Sequence, residues 1–268
     1  MDVHWLEQRQ SDVPEDNHWL NASEAACLNA LQFPKRRADW RLGRWTAKRA
    51  LSVHLGVAAD LQSLTDIEIR AATSGAPEAF IAGRPAAATI SLSHSNGNAL
   101  CAIAPVGTAL GCDLELIEPR SEAFVTDYFT NLEQAWVTRA STSDQPLLAT
   151  LLWSAKESAL KALREGLRLD TRSVIVSITD VSNVSGIEPL LDSAWSLPQN
   201  RESVWHSLQV RYTDGQVFHG RWQQAGKLLR TLVAAPAPII PFALKMPTQI
   251  GHTAVAVPVV EPHSVVSL

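Results

Sequence analysis

WSAKESALKAL, Trp153–Leu163, reads as a helix with two different faces. At about 3.6 residues per turn, Leu152, Ala155, Ala159, Ala162 and Leu163 form one apolar stripe. Trp153, Glu157 and Lys161 form a column on the opposite side, joined by Arg164. A glutamate with a lysine four residues on is an ordinary solvated helix pair. The tryptophan heading the column leaves a second reading open, in which this face meets another element.

A copy of the pattern, WTAKRAL from Trp45, lies in the other half of the chain, and CAIAP from Cys101 is matched by VAAPAP from Val233. Each helix is followed by strands. The echo predicts two pseudo-equivalent halves about a pseudo-twofold axis, with a seam after Ile117. The N-terminal half is then 1–117 and the C-terminal half 118–235. Residues 236–268 are rich in Pro, Ala and Val, and prolines break helices and central strands. They predict a tail with no core of its own, or an extended strand laid along the body.

LNASEAACLNALQF predicts a first helix capped by Asn21 or Ser23, and KRRADWRLGRWTAKRALSVHL a second ending near Gly56. SGAPEAFIAGRPAA is turn-rich. ATISLSHSNGNALCAIAP predicts strand, Asn96–Gly97 turn and strand, and ALGCDLELI another strand. Helix follows around Glu122–Ala140. The opening helix is expected to start at Asp144 and to end with Gly166 at its C′ position. SVIVSITDV, SVWHSLQVRYT, VFHGRWQQ and LLRTLVAA predict the last strands. Helices and strands mix without regular alternation, so the expected class is α+β, or irregular α/β.

The 268 residues are 46% hydrophobic and 19% charged, a globular composition able to bury a large core. A net charge of −4 argues against nucleic-acid binding through bulk positive charge, while allowing a local pocket for a small anion. Cys27, Cys101 and Cys112 are odd in number and lack metal-ligand spacing, which favours a reducing compartment. MDVHWLEQRQ has no secretory pattern, and the most apolar run, TLVAAPAPIIPFALKMP, is broken by three prolines and holds Lys245. The expectation is a soluble cytoplasmic protein with no membrane span.

In ALGCDLELI a strand period of two puts Asp113 and Glu115 on one face, about 7 Å apart between Cα atoms, and Leu110, Cys112, Leu114 and Leu116 on the other. Neighbouring carboxylates repel unless a cation sits between them. Mg²⁺ is commonly held by one or two carboxylates together with substrate phosphates. Taken alone, the pair is better explained as an edge strand with one polar face. Glu157 would add a third carboxylate if its side of the helix faced this strand, and Lys161 would then meet a phosphate. Lys35, Arg36, Arg37, Arg41, Arg44, Lys48 and Arg49 form a solvated helix face or, in part, a phosphate site. Ser93 and His94 stand between a strand and its turn.

The order of these motifs, GRWTAKRAL, GRP, SLSHS, GCDLE, then WSAKESALKAL, resembles the 4′-phosphopantetheinyl transferases of the Sfp type, which are single-chain pseudo-dimers. The resemblance spans about Leu31 to Ala235. It implies transfer of the phosphopantetheine arm of coenzyme A to a serine of an apo acyl or peptidyl carrier protein, releasing adenosine 3′,5′-bisphosphate. Asp113, Glu115 and Glu157 match the family's Mg²⁺ ligands. Lys161 matches the lysine at the pyrophosphate, and Ser93 and His94 the pair at coenzyme A phosphates. Arg84 replaces the lysine of a GKP turn. Arg37, Arg41 and Arg44 are candidates for the 3′-phosphate, and Glu133 resembles a glutamate of the family's FF…E segment. The catalytic set implied is Glu157, Lys161 and His94, in a protein expected to act as a monomer. The alternatives are a non-catalytic module binding coenzyme A or a carrier protein, and a different Mg²⁺-dependent phosphotransferase.

Overall fold

The structure is a computed structural model that describes residues 1–58, 60–165, 168–178, 197–198 and 202–246. It is a mixed α+β fold that repeats itself. The first half runs β1 (His4–Arg9), α1 (Ala22–Ala30), α2 (Pro34–Leu55), α3 (Leu61–Asp66), β2 (Ile67–Ala71), β3 (Pro77–Ile81), β4 (Arg84–Pro85), β5 (Thr89–Ser95) and β6 (Asn98–Ala104). The second runs β7 (Ala109–Leu116), α4 (Glu122–Tyr128), α5 (Asn131–Arg139), α6 (Gln145–Ala162), β8 (Val174–Ile178), β9 (His206–Tyr212), β10 (Val217–Ala225) and β11 (Leu228–Ala235). In each half the opening strand pairs antiparallel with the closing strand, β1 with β6 and β7 with β11. The hydrogen bonds therefore start the second half at Ala109, ahead of the seam expected after Ile117. β7 opens the second sheet even though its sequence follows on from the first hairpin.

The echoed helices are held by the same device. In the first half Asn21 caps α1 and Glu24 reaches back to it, closing a capping box. The other oxygen of Glu24 accepts from the Ile69 amide at 3.1 Å. Lys48 of α2, fully buried, pairs with Glu24 at 2.5 Å and donates to the Trp19 and Leu64 carbonyls. In the second half Thr130 caps α5, Glu133 closes the box and accepts from the Val176 amide at 3.1 Å. Lys156 of α6, fully buried, pairs with Glu133 at 2.9 Å and donates to the Thr171 and Val174 carbonyls. Each ammonium thus has three acceptors for three N–H bonds, the condition under which a buried lysine stays charged without an unmet donor. Glu133 is a structural ion-pair partner here. Lys48, counted in the basic run, is taken out of reach of any phosphate.

Local chemistry explains the boundaries. Gly56 takes φ 65° and stops α2, and Asn96 and Gly97, at φ 47° and 72°, close the β5–β6 hairpin. The segment expected as helix around Glu122–Ala140 splits into α4 and α5, because Phe129 turns extended and sinks fully into the core, and Thr130 restarts the helix. Asp144 precedes α6 but makes no side-chain cap, and its carboxylate accepts the Ser141 hydroxyl. After α6 the left-handed residue is Arg164, at φ 59°. Gly166 lies outside the described residues. The turn-rich stretch SGAPEAFIAGRPAA contains β3 and β4, joined through Ala82 and Gly83.

α2 packs on β1, β5 and β6, and α6 on β7, β8 and β11. A third core joins the halves: Val3, Leu100 and Ala102 meet Leu110, Cys112, Leu114 and Leu232. The sheet edges β5 and β7 meet there without a β-ladder. The Cys112 amide instead donates to the Ser91 hydroxyl at 2.9 Å. Gly111 of β7 lets α6 come close, since a Cβ there would stand 1.7 Å from the Ser158 carbonyl oxygen. Of the tail, β12 (Phe242–Ala243) pairs parallel with β1, so this part is an extended strand on the body. Residues 247–268 lie outside the described residues. No helix among the described residues is long and apolar enough to cross a membrane.

Candidate active site

The seam between the two sheet edges carries the polar column of α6. Period two sends Gly111, Asp113 and Glu115 of β7 toward α6, while Cys112 and Leu114 enter the apolar core between the halves. Beyond its first turn, Trp153, Glu157 and Lys161 are the partly exposed positions of a helix otherwise buried. The back of the helix is therefore turned to the strand, not to water.

Asp113 is 3% exposed. Its Oδ1 accepts from Lys161 Nζ at 2.7 Å and from the Ser93 hydroxyl at 2.8 Å, so both halves contribute to its placement. Lys161 also donates to the Cys112 carbonyl at 3.0 Å. Glu115 has both oxygens engaged: the Trp153 indole N–H donates to Oε1 at 3.1 Å and Arg120 to Oε2 at 3.2 Å. Two oxygens remain buried without a hydrogen-bond partner, Asp113 Oδ2 and Glu157 Oε1.

The electrostatics follow from this crowding. Burial, then the charges of Asp113 and Glu115, push the Glu157 carboxyl up to about 7, against the opposing pull of Lys161. Glu115 is also raised, chiefly by burial and then by Asp113, with Arg120 and the indole opposing. Lys161 is raised overall, since Asp113, Cys112 and Glu157 outweigh a larger desolvation effect of opposite sign. Glu157 and Glu115, both raised with Asp113 beside them, are short of positive charge.

Asp113, Glu115 and Glu157 meet at the seam, but among the described residues no three His, Cys, Asp or Glu side chains converge into a ready metal cage. Lys161 and Arg120 hold two of the carboxylates, and the orphaned oxygens of Asp113 and Glu157 are the donors that suit a hard cation.

Ser93 joins the site through its bond to Asp113, and His94, the next residue of β5, is exposed. Arg84 is exposed on β4. Arg37 anchors the end of α1, one nitrogen donating to the Leu28 and Leu31 carbonyls, and Arg41 anchors the Pro14, Glu15 and Asp16 carbonyls through one nitrogen. Both line an open hollow of about 310 Å³ with Asn17. Arg44 lies over the Trp40 ring at 4.7 Å, and burial lowers its guanidinium pKa. Among the described residues, no hydrogen bond or ion pair ties these arginines to the carboxylate site.

Sequence reading missed two contributors. Ser91 shares a strand face with Ser93, and the period-two rule that paired Asp113 with Glu115 would have found it. Arg120 reaches back to Glu115 and lies 5.1 Å from the Phe124 ring centre; a cation just after a carboxylate strand and a proline was its signal. Phe124 and Tyr128 of α4 stand edge-on to Trp153, at 5.1 and 5.0 Å between ring centres.

Residues 109–214 match the model of the 4′-phosphopantetheinyl transferase superfamily. The superfamily indicated by the motifs is the one found, and the matched segment holds GCDLE, α6 and most of the second half. Two solved structures are similar over part of the chain. The first is a holo-(acyl-carrier-protein) synthase from Bacillus anthracis str. Ames in complex with CoA (3′,5′-ADP), 21% identical, covering 38% of this chain and 92% of that one, with a TM-score of 0.32. The second is the Thermotoga maritima holo-[acyl-carrier-protein] synthase, 22% identical, covering 48% of this chain and 74% of that one, with a TM-score of 0.31. No curated protein matches the chain.

Proposed function

We propose that the protein is a 4′-phosphopantetheinyl transferase of the single-chain type, which moves the phosphopantetheine arm of coenzyme A onto a serine of an apo acyl or peptidyl carrier protein. The observation that carries this reading is the meeting of GCDLE and WSAKESALK at one seam, with Lys161 on Asp113 at 2.7 Å and Glu157 raised to about 7. It is strengthened by the superfamily match over the same residues.

In the reaction a serine Oγ attacks the β-phosphorus of coenzyme A. The new P–O bond forms as the bond to the bridging pyrophosphate oxygen breaks, and adenosine 3′,5′-bisphosphate leaves with that electron pair. The repulsion of an anionic pyrophosphate is the main obstacle, so catalysis is chiefly positioning and charge. Lys161 supplies a fixed ammonium on the phosphate side, and His94 a second donor from β5. Ser93 and Lys161 orient Asp113. Glu157 accepts the serine proton through the carboxylate oxygen it does not give to a cation, in the role of general base. Asp113, Glu157 and Glu115 would hold Mg²⁺, whose chemistry is to neutralise the pyrophosphate oxygens. Arg37, Arg41 and Arg44 are proposed for the 3′-phosphate, with Arg84 near the cofactor. A guanidinium has five N–H donors, so anchoring carbonyls through one nitrogen leaves others for an anion.

Incubation with coenzyme A, Mg²⁺ and an apo carrier protein is expected to add the arm, read by intact mass. Folded protein that fails on fatty-acid, polyketide and peptide carriers alike would sink the proposal. Glu157→Gln and Asp113→Ala should abolish transfer while leaving the circular dichroism spectrum unchanged.

A further inference from the structure

Both oxygens of Glu115 are already taken, while one oxygen each of Asp113 and Glu157 is buried and idle. Arg120 is what engages the second oxygen of Glu115. Its guanidinium sits between Glu115 and Glu118, at 3.2 and 3.3 Å, against the Phe124 ring, and it is largely covered. A carboxylate held beside two others needs a counter-charge, and here arginine supplies it. A divalent cation placed among the three carboxylates would compete with that arginine for Glu115.

We propose that Arg120 is a positioning residue that occupies Glu115 in the cation-free protein and must yield it when a divalent cation binds, so that Arg120 sets the cation affinity of the site. This rests on the reading of Asp113, Glu115 and Glu157 as cation ligands. Because the arginine is a charge that the incoming cation must displace or tolerate, its removal strengthens cation binding. The indole of Trp153, bonded to the other oxygen of the same carboxylate, senses the exchange.

The test is Mn²⁺ binding to the full chain without coenzyme A, followed by the loss of free-ion electron paramagnetic resonance signal and by tryptophan fluorescence. Arg120→Gln is expected to bind about tenfold more tightly than the parent, the scale of one half-buried charge pair. Arg120→Lys, which keeps the charge, should stay near the parent value. Binding by Arg120→Gln that equals or falls below the parent overturns the inference and leaves the ligand assignment standing. If neither parent nor Arg120→Gln binds Mn²⁺, the ligand assignment fails and this inference with it.

Discussion

Replacing Gly111 by alanine tests whether the spacing between β7 and α6 governs catalysis. The added Cβ would lie 1.7 Å from the Ser158 carbonyl oxygen, 2.7 Å from its carbon and 2.9 Å from the Ala162 amide nitrogen. All three are main-chain atoms inside or ending a helix, so no side chain can swing aside. Strand and helix must separate by roughly 1.3 Å or more before the contact reaches the shortest distance real Cβ atoms show. Overpacking of this kind costs about 1–3 kcal/mol. Asp113 stands two residues along the same strand, bonded to Lys161 of the same helix at 2.7 Å, and it moves with the strand. A displacement near 1 Å at reacting groups costs about 100-fold in rate. Gly111→Ala should therefore unfold at lower urea and, where still folded, transfer the arm about 100-fold more slowly. Gly220→Ala is the control: its Cβ meets the Leu232 carbonyl oxygen at 2.7 Å and the Leu208 and Val233 side chains, on β10. It should lose comparable stability and keep its rate once folded. A Gly111→Ala protein with parental rate, whatever its stability, would refute the coupling of strand spacing to catalysis.

Glu157 gives a pH signature. Its carboxyl ionises near 4.5 when unfolded and near 7 when folded, so the folded state is penalised as pH rises through that window. Stability measured without divalent cation should fall by up to about 3 kcal/mol from pH 4.5 to 7.5 relative to Glu157→Gln. Thermal melts of the two proteins across that range check it, and parallel curves would contradict it. The buried pairs give another test. Lys156→Met leaves Glu133 charged and unpaired and should cost about 3–5 kcal/mol, whereas Lys156→Met with Glu133→Gln should recover much of that. Lys48→Met, alone and with Glu24→Gln, should repeat both results in urea titrations, because the two devices share their geometry.

The duplicated architecture was legible in WTAKRAL and WSAKESAL because a lysine forced into the core needs a fixed set of acceptors, and that requirement preserves a motif. The Asn96–Gly97 hairpin, the stop at Gly56 and the polar face of β7 were legible for similarly local reasons. β1, β2 and β12 were not. HWLEQR and IEIRA carry too much charge to read as strands, and the partners of β1, which are β6 and β12, are remote in sequence, although β2 pairs with the neighbouring β3. The three carboxylates and Lys161 could be named from spacing. What the sequence left hidden was how the charges are shared: Lys161 lies on Asp113, Arg120 and Trp153 hold Glu115, and Glu157 is left alone. Such assignments depend on which side chains meet across the seam, and no periodicity encodes that.

β12 has a consequence for how the molecule keeps to itself. An outermost strand with free amides and carbonyls is a template for any other extended chain, and proteins cover such strands to avoid sticking together. The amides of Ile239, Phe242 and Leu244 donate to the carbonyls of Met1, Val3 and Trp5, filling those acceptors along β1. At the seam, β5 and β7 screen each other through serine hydroxyls. A proline-rich stretch that looks dispensable thus works as a selvedge, finishing the border of the first sheet so that it does not fray into its neighbours.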